Sequence, residues 1–92
     1  MNKRKIDYEH DSELLKALGH PIRLKIVAGL MSGHECNVNT MVENLNLPQS
    51  TVSQHLSVLK NKGIIAFRKE GVRACYRVVN DHVRAIINEL EK

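Results

Sequence analysis

From Ser50 to Leu59 the chain carries Thr51, Ser53, Gln54 and Ser57, short uncharged hydrogen-bonding side chains, with His55 among them, Gln49 just before and Lys60 just after; the span holds no Asp, Glu, Lys or Arg. A glutamine amide pairs with the adenine edge in the major groove of a DNA duplex through two hydrogen bonds, and hydroxyls reach base edges or phosphates. A helix face that meets only water usually carries Glu and Lys instead. Gln54 is the first candidate for reading a base, with Gln49, Ser50, Thr51, Ser53, His55, Ser57 and Lys60 around it. Serine and threonine also cap helices, and an exposed glutamine can be idle, so this face counts only with its neighbours.

The second chemistry-bearing group is cationic. Arg68, Lys69 and Arg73 bracket Glu70-Gly71, and Arg77 follows on the same stretch. Such a tip suits phosphates or a minor groove, although a basic hairpin also protects a sheet edge from aggregation. Catalysis is not expected: Ser53 or Ser57 beside His55 lacks an orienting carboxylate and a glycine-rich nucleophile turn. Cys36 and Cys75 are the only cysteines, too few for a disulfide framework.

These groups need a scaffold, and punctuation in the chain supplies one. Asp11 or Ser12 is placed to cap a first helix carrying Leu14, Leu15 and Leu18 and ended by Gly19. Pro21 opens a second, with Ile22, Ile26, Val27 and Leu30 at helical spacing up to Gly33. Asn39 is expected to cap a short third helix with Met41, Val42 and Leu45 inward, and Asn46-Leu47-Pro48-Gln49 forces a tight turn. Ser50 is expected to cap a fourth helix, 50–62, with Val52, Leu56 and Leu59 as its inner stripe and Gly63 in a left-handed position behind it. Residues 64–78 read as a hairpin turning at Glu70-Gly71, and Asn80 caps a last helix with Val83, Ile86, Ile87 and Leu90 in one stripe. The expected class is mainly α with a small β-hairpin (α+β), in the order α-α-α-α-β-β-α.

At 92 residues with no repeat or linker the chain reads as a single domain, 1–92, small enough to gain from a partner subunit. A net charge of +4 favours a polyanionic partner. Three aromatic residues are too few for stacking single-stranded bases. No apolar run is long enough to span a membrane and the amino terminus is polar, so a cytoplasmic location is expected.

The runs Leu18-Gly19-His20-Pro21-Ile22-Arg23-Leu24-Lys25-Ile26, Leu47-Pro48-Gln49-Ser50-Thr51-Val52-Ser53-Gln54-His55-Leu56 and Leu59-Lys60-Asn61-Lys62-Gly63-Ile64-Ile65, with a basic stretch ending in Tyr76-Arg77-Val78, together resemble the ArsR/SmtB family of bacterial repressors over roughly residues 11–90. The resemblance implies a winged helix-turn-helix that binds double-stranded DNA through helix 50–62 and wing 64–78. It also implies a homodimer, with Leu14, Leu15, Leu18, Val83, Ile86, Ile87 and Leu90 at the interface, on an inverted-repeat operator. A protein-interaction module on the same fold is the competing class, and it would more often expose apolar or acidic residues on the fourth helix.

Members of this family often carry a metal site, and the positions that would form one are altered here. Where a thiolate site has two cysteines around a valine, this chain has Asn37 and Asn39 around Val38, and an amide is a poor ligand for a soft metal. Cys36 with His34 and Glu35 is a weak substitute. At the last helix Asn80 replaces the expected Asp, leaving His82 alone. No metal, cofactor or small-molecule ligand is therefore expected. The remaining trigger chemistry is a thiol sensor at Cys36 or Cys75, the latter beside Arg73 and Arg77, whose charges favour a thiolate. In the expected fold the two cysteines stand too far apart within one subunit for a disulfide.

Overall fold

The computed structural model describes residues 5–33 and 36–92, and at Glu70 and Arg73 the backbone alone. Its elements are α1 (Tyr8–Leu18), α2 (Pro21–Ser32), α3 (Val38–Leu45), α4 (Gln49–Asn61), β1 (Ile65–Glu70), β2 (Arg73–Val78) and α5 (Asp81–Leu90). The order and class are those expected. His34 and Glu35, considered above as partners of Cys36, lie outside the described residues.

Three helix starts differ from expectation, each for a local reason. Asp7, not Asp11 or Ser12, caps α1 by accepting from the His10 N–H at 3.1 Å; Asp11 lies one turn inside and accepts from the Asp7 N–H at 3.0 Å. The two carboxylates satisfy amide groups reciprocally, so the earlier start wins. Asn37, not Asn39, caps α3, its Oδ1 accepting from the Thr40 amide at 2.8 Å and the Thr40 hydroxyl at 3.0 Å. Helix α4 begins one residue before Ser50, after Pro48 with φ −58° and ψ 147°. Proline's ring sets that φ, its carbonyl accepts from Val52 N–H at 3.1 Å, and no side chain caps the helix.

Between α3 and α4 the turn rests on Asn46, which takes the left-handed conformation (φ 54°) that asparagine tolerates better than most residues; its N–H donates to Val42 at 2.9 Å. Pro48 then prevents α3 from continuing, so two helices meet at a fixed corner. The far end of α4 closes with paired bonds, Ile64 N–H to Leu59 O and Gly63 N–H to Lys60 O, both 3.0 Å, with Gly63 at φ 71°. This arrangement needs a left-handed residue next to the last turn and buries the apolar residue beyond it, and Ile64 and Leu59 are fully buried.

The hairpin turns at Gly71-Val72, one residue later than expected, because β1 runs on to Glu70 and Gly71 takes the positive φ (59°) required at the first turn position. Ile65 pairs with Val78, Phe67 with Tyr76 and Arg68 with Cys75. At the outer edge of β2 the Tyr76 N–H donates to the Cys36 carbonyl at 2.7 Å, fastening the start of α3 to the wing. Arg84 on α5 donates to the Val78 carbonyl at 3.1 Å, and Asn80 caps α5 as expected.

The core gathers Leu14, Ala17 and Leu18 from α1, Ile26 and Val27 from α2, Met41 from α3, Val52, Leu56 and Leu59 from α4, and Ile64, Ile65, Val78, Val83 and Ile87 behind them. Each large apolar side chain so buried contributes about 1.5–3 kcal/mol, which anchors α4 along one face and frees the opposite face. This burial corrects the interface set. Leu14, Leu18, Val83 and Ile87, at 3, 4, 0 and 3 % exposure, belong to the subunit's own core, whereas Leu15 and Leu90, at 55 and 65 %, face outward and Ile86 is half-buried. The apolar stripes of α1 and α5 are wider than one small core covers, so their outer margins stay exposed.

Candidate nucleic-acid interface

The helical period places Ser50, Ser53, Gln54 and Ser57 on the stripe of α4 directly opposite Val52, Leu56 and Leu59. Ser50, Gln54 and Ser57 are exposed and Ser53 half-buried; Gln49 and Lys60 are exposed at the two ends. The structure thus gathers most of the expected reading face into one neutral, donor- and acceptor-rich strip that stands clear of the core. Thr51 is half-buried on the flank.

His55 does not belong to this strip. Its ring turns toward the α1–α2 corner, where its Nδ1 lies 3.3 Å from Arg23 Nη1 and its centroid 4.6 Å from that of His20. Arg23 has donors only, so Nδ1 must be the acceptor and His55 the neutral tautomer protonated at Nε2. Burial, then the neighbouring His20 and Arg23, hold the imidazole below its ordinary value of 6.5. Arg23 also donates through Nε to the Ala17 carbonyl and through Nη2 to the Lys16 carbonyl at 3.5 Å, while His20 Nδ1 accepts from Ile22 N–H at 3.1 Å and caps α2. Sequence reasoning missed this cluster because His55 lies 32 residues from Arg23; the only local sign was a histidine immediately before a helix-starting proline.

The wing separates the four basic residues by strand parity. Arg68 and Arg77 share one face with Cys75, whereas Lys69 pairs with Ala74 on the face that also carries Phe67 and Tyr76. The rings of Phe67 and Tyr76 meet edge to face at 5.0 Å and stiffen the hairpin. Arg73 takes the register position opposite Glu70, and its side chain lies outside the described residues. Arg68, Lys69 and Arg77 are exposed.

Arg68 and Arg77 line a cleft of about 760 Å³ together with Asn37, Asn39, Cys36 and Cys75. The Cys36–Tyr76 backbone bond sets Cys36 beside β2, one residue from Cys75 along the strand, nearer than the expected fold implied, and neither cysteine is in a disulfide. Asn37 is committed to capping α3, and Asn39 is exposed. At α5, Asn80 is likewise committed as a cap and His82 is exposed. Among the described residues no three His, Cys, Asp or Glu side chains gather as metal ligands, and no helix is long and apolar enough to cross a membrane.

This geometry has counterparts. Residues 20–66, from the His20 cap through the start of β1, match the family model described as bacterial regulatory protein, arsR family. The transcriptional repressor PagR of Bacillus anthracis is 43 % identical over 89 residues, covering 94 % of this chain and 89 % of its own length. Its crystal structure superposes with a TM-score of 0.81 at 42 % identity, covering 90 % of this chain and 94 % of the other. HlyU from Vibrio cholerae N16961 superposes with a TM-score of 0.83 at 32 % identity, covering 95 % and 94 % of the two chains.

Proposed function

This chain belongs to the arsR family of bacterial regulatory proteins, and from that premise we propose that it represses transcription as a homodimer, seating α4 of each subunit in the major groove of an inverted-repeat operator. The observation that carries the reading is the uncharged strip Ser50, Ser53, Gln54 and Ser57, held opposite the buried stripe of α4. Gln54 reads a base edge, Gln49, Ser50, Thr51, Ser53 and Ser57 contact bases or phosphates, and Lys60, Arg68, Lys69, Arg73 and Arg77 supply charge along the backbone. His55, expected among the contacts, is assigned instead to holding α4, on the ground that its Nδ1 is engaged with Arg23.

Dimerisation uses the outward margins of the terminal elements. Leu15, Ile86 and Leu90 join Ile6 and Tyr8, which are 63 and 78 % exposed, in an apolar surface that a second copy would cover. Part of it is a shallow groove lined by Ile6, Leu15, His82 and Ile86. The protein acts where the chromosome is, in the cytoplasm, and needs no cofactor for binding.

The test is selection of bound sequences from a randomised duplex library by the purified chain, read by sequencing, with the mass of the complex from sedimentation. Enrichment of a two-fold symmetric motif bound by two chains supports the proposal. Absence of any enriched sequence would turn the reading toward a protein-interaction module.

One observation favours a second, compatible reading, in which the repressor responds to thiol-reactive molecules: Cys36 and Cys75 share the cleft with Arg68 and Arg77. An adduct there would crowd the wing. Alkylating both thiols with iodoacetamide should lower affinity for the selected duplex, and unchanged affinity would discard this reading.

A further inference from the structure

We infer that Arg23 and His55 are positioning residues for the DNA-reading helix, and that together they tie the orientation of α4 to the last turn of α1. The inference rests on the role proposed above for α4.

Arg23 stands on the first turn of α2 and spans two contacts at once. Through Nε it donates to the Ala17 carbonyl at the end of α1, and through Nη2, at a longer 3.5 Å, to the Lys16 carbonyl, which also accepts from the Gly19 N–H at 3.2 Å. Through Nη1 it reaches His55 Nδ1 at 3.3 Å, in the middle of α4 and next to Gln54. His20 closes the group from the side: its Nδ1 is occupied by the Ile22 amide, and its ring lies tilted by 45° against the His55 ring. No carboxylate among the described residues pairs with Arg23 or His55.

Burial of Val52, Leu56 and Leu59 sets which face of α4 turns inward, but contacts among aliphatic side chains are not directional and leave the last few degrees of rotation to be set by other contacts. A hydrogen bond from a planar guanidinium, itself held by carbonyls, is directional. Rotation of α4 about its axis would move His55 off Arg23 and swing Gln54 and Ser57 in the same sense. Because α1 also carries the exposed Leu15, a partner subunit pressing on α1 acts on the carbonyls that hold Arg23. The same guanidinium therefore relates the outer surface of α1 to the setting of the reading face.

The link requires an unprotonated Nδ1. A proton there removes the acceptor and sets a cation against Arg23, with His20 as the other titratable neighbour; the tendency of His55 to stay neutral agrees with its role as acceptor.

The experiment compares the wild-type chain with His55→Asn, His55→Leu and Arg23→Lys. Asparagine sets a carbonyl oxygen near the place of Nδ1 and does not titrate, leucine fills the volume without an acceptor, and lysine keeps the charge but loses the fork. Two readouts are taken: the amide resonances of residues 53–57 and 16–17 as pH is lowered from 7.5 to 5.5 in the free protein, and affinity for the selected duplex by fluorescence anisotropy. In the wild type both amide groups should move together with the His55 ring titration, and affinity should fall with pH. His55→Asn should flatten both responses while keeping affinity near wild type at pH 7.5. His55→Leu and Arg23→Lys should lose about tenfold or more at that pH, the scale of one charge-assisted hydrogen bond, with helix content retained. Equal affinity in His55→Leu, or amides of α4 that titrate independently of α1, would overturn the inference. Because the resonances are read without DNA, failure of the DNA-binding proposal is distinguishable from failure of this one.

Discussion

The amide of Tyr76 donates to the carbonyl of Cys36 at 2.7 Å, the described contact by which the loop before α3 joins the edge of the wing. That bond turns a two-stranded ribbon, marginal by itself, into a supported one. It should be visible in hydrogen exchange. The Tyr76 amide should exchange roughly tenfold or more slowly than the Ala74 amide on the same strand edge nearer the tip, as expected when one group opens only with its support. Equal rates would mean that the wing moves free of α3.

Base reading and charge should separate by mutation. Gln54→Ala should weaken binding to the selected duplex by about 1–3 kcal/mol and broaden the preference at one position in each half-site. Arg68→Ala, on the wing, should weaken binding to every sequence and reduce the salt dependence by about one counterion. Titrations on matched and scrambled duplexes at several salt concentrations give both quantities.

The corrected burial makes a sharp distinction among apolar residues of the same helices. Leu15→Glu and Leu90→Glu place a charge on exposed positions, so the chain should melt within about 0.5 kcal/mol of wild type as a monomer but sediment as one rather than two chains. Ile87→Ala, at a position 3 % exposed, should cost about 2–5 kcal/mol of fold stability whatever the oligomeric state. Sedimentation with thermal melts over a range of protein concentrations separates the two effects.

His55 should leave a signature in stability as well as binding. The folded chain holds its imidazole below 6.5, chiefly through burial and then through His20 and Arg23. Between the folded and ordinary values the unfolded chain binds more protons, so stability rises with pH across that window. The contribution is whole above about 6.5 and is lost as pH falls through the folded value. Melting temperatures from pH 7.5 to 5 should therefore drop more steeply for wild type than for His55→Asn; parallel curves would assign the acid sensitivity to other groups.

Much of the scaffold was legible because local chemistry decides it. Pro21 opens α2, Asn80 caps α5, Gly63 takes the left-handed position behind α4, and Val52, Leu56 and Leu59 repeat at helical spacing. The caps of α1 and α3 were less legible, since Asp7 and Asp11, or Asn37 and Asn39, are each competent and lie within one turn. Which one caps depends on which amide its oxygen reaches.

By itself the sequence determined the order of elements, the neutral outer strip of α4 and the basic hairpin, because helical and strand periods translate residue type directly into a face. Only the tertiary structure decided that His55 turns to Arg23, that Cys36 and Cys75 line one cleft, and that Val83 and Ile87 belong to the subunit's core while Leu90 does not. Each of those outcomes depends on which surfaces distant segments cover, and burial and directional hydrogen bonds take their partners from across the fold, where neither period nor spacing reaches.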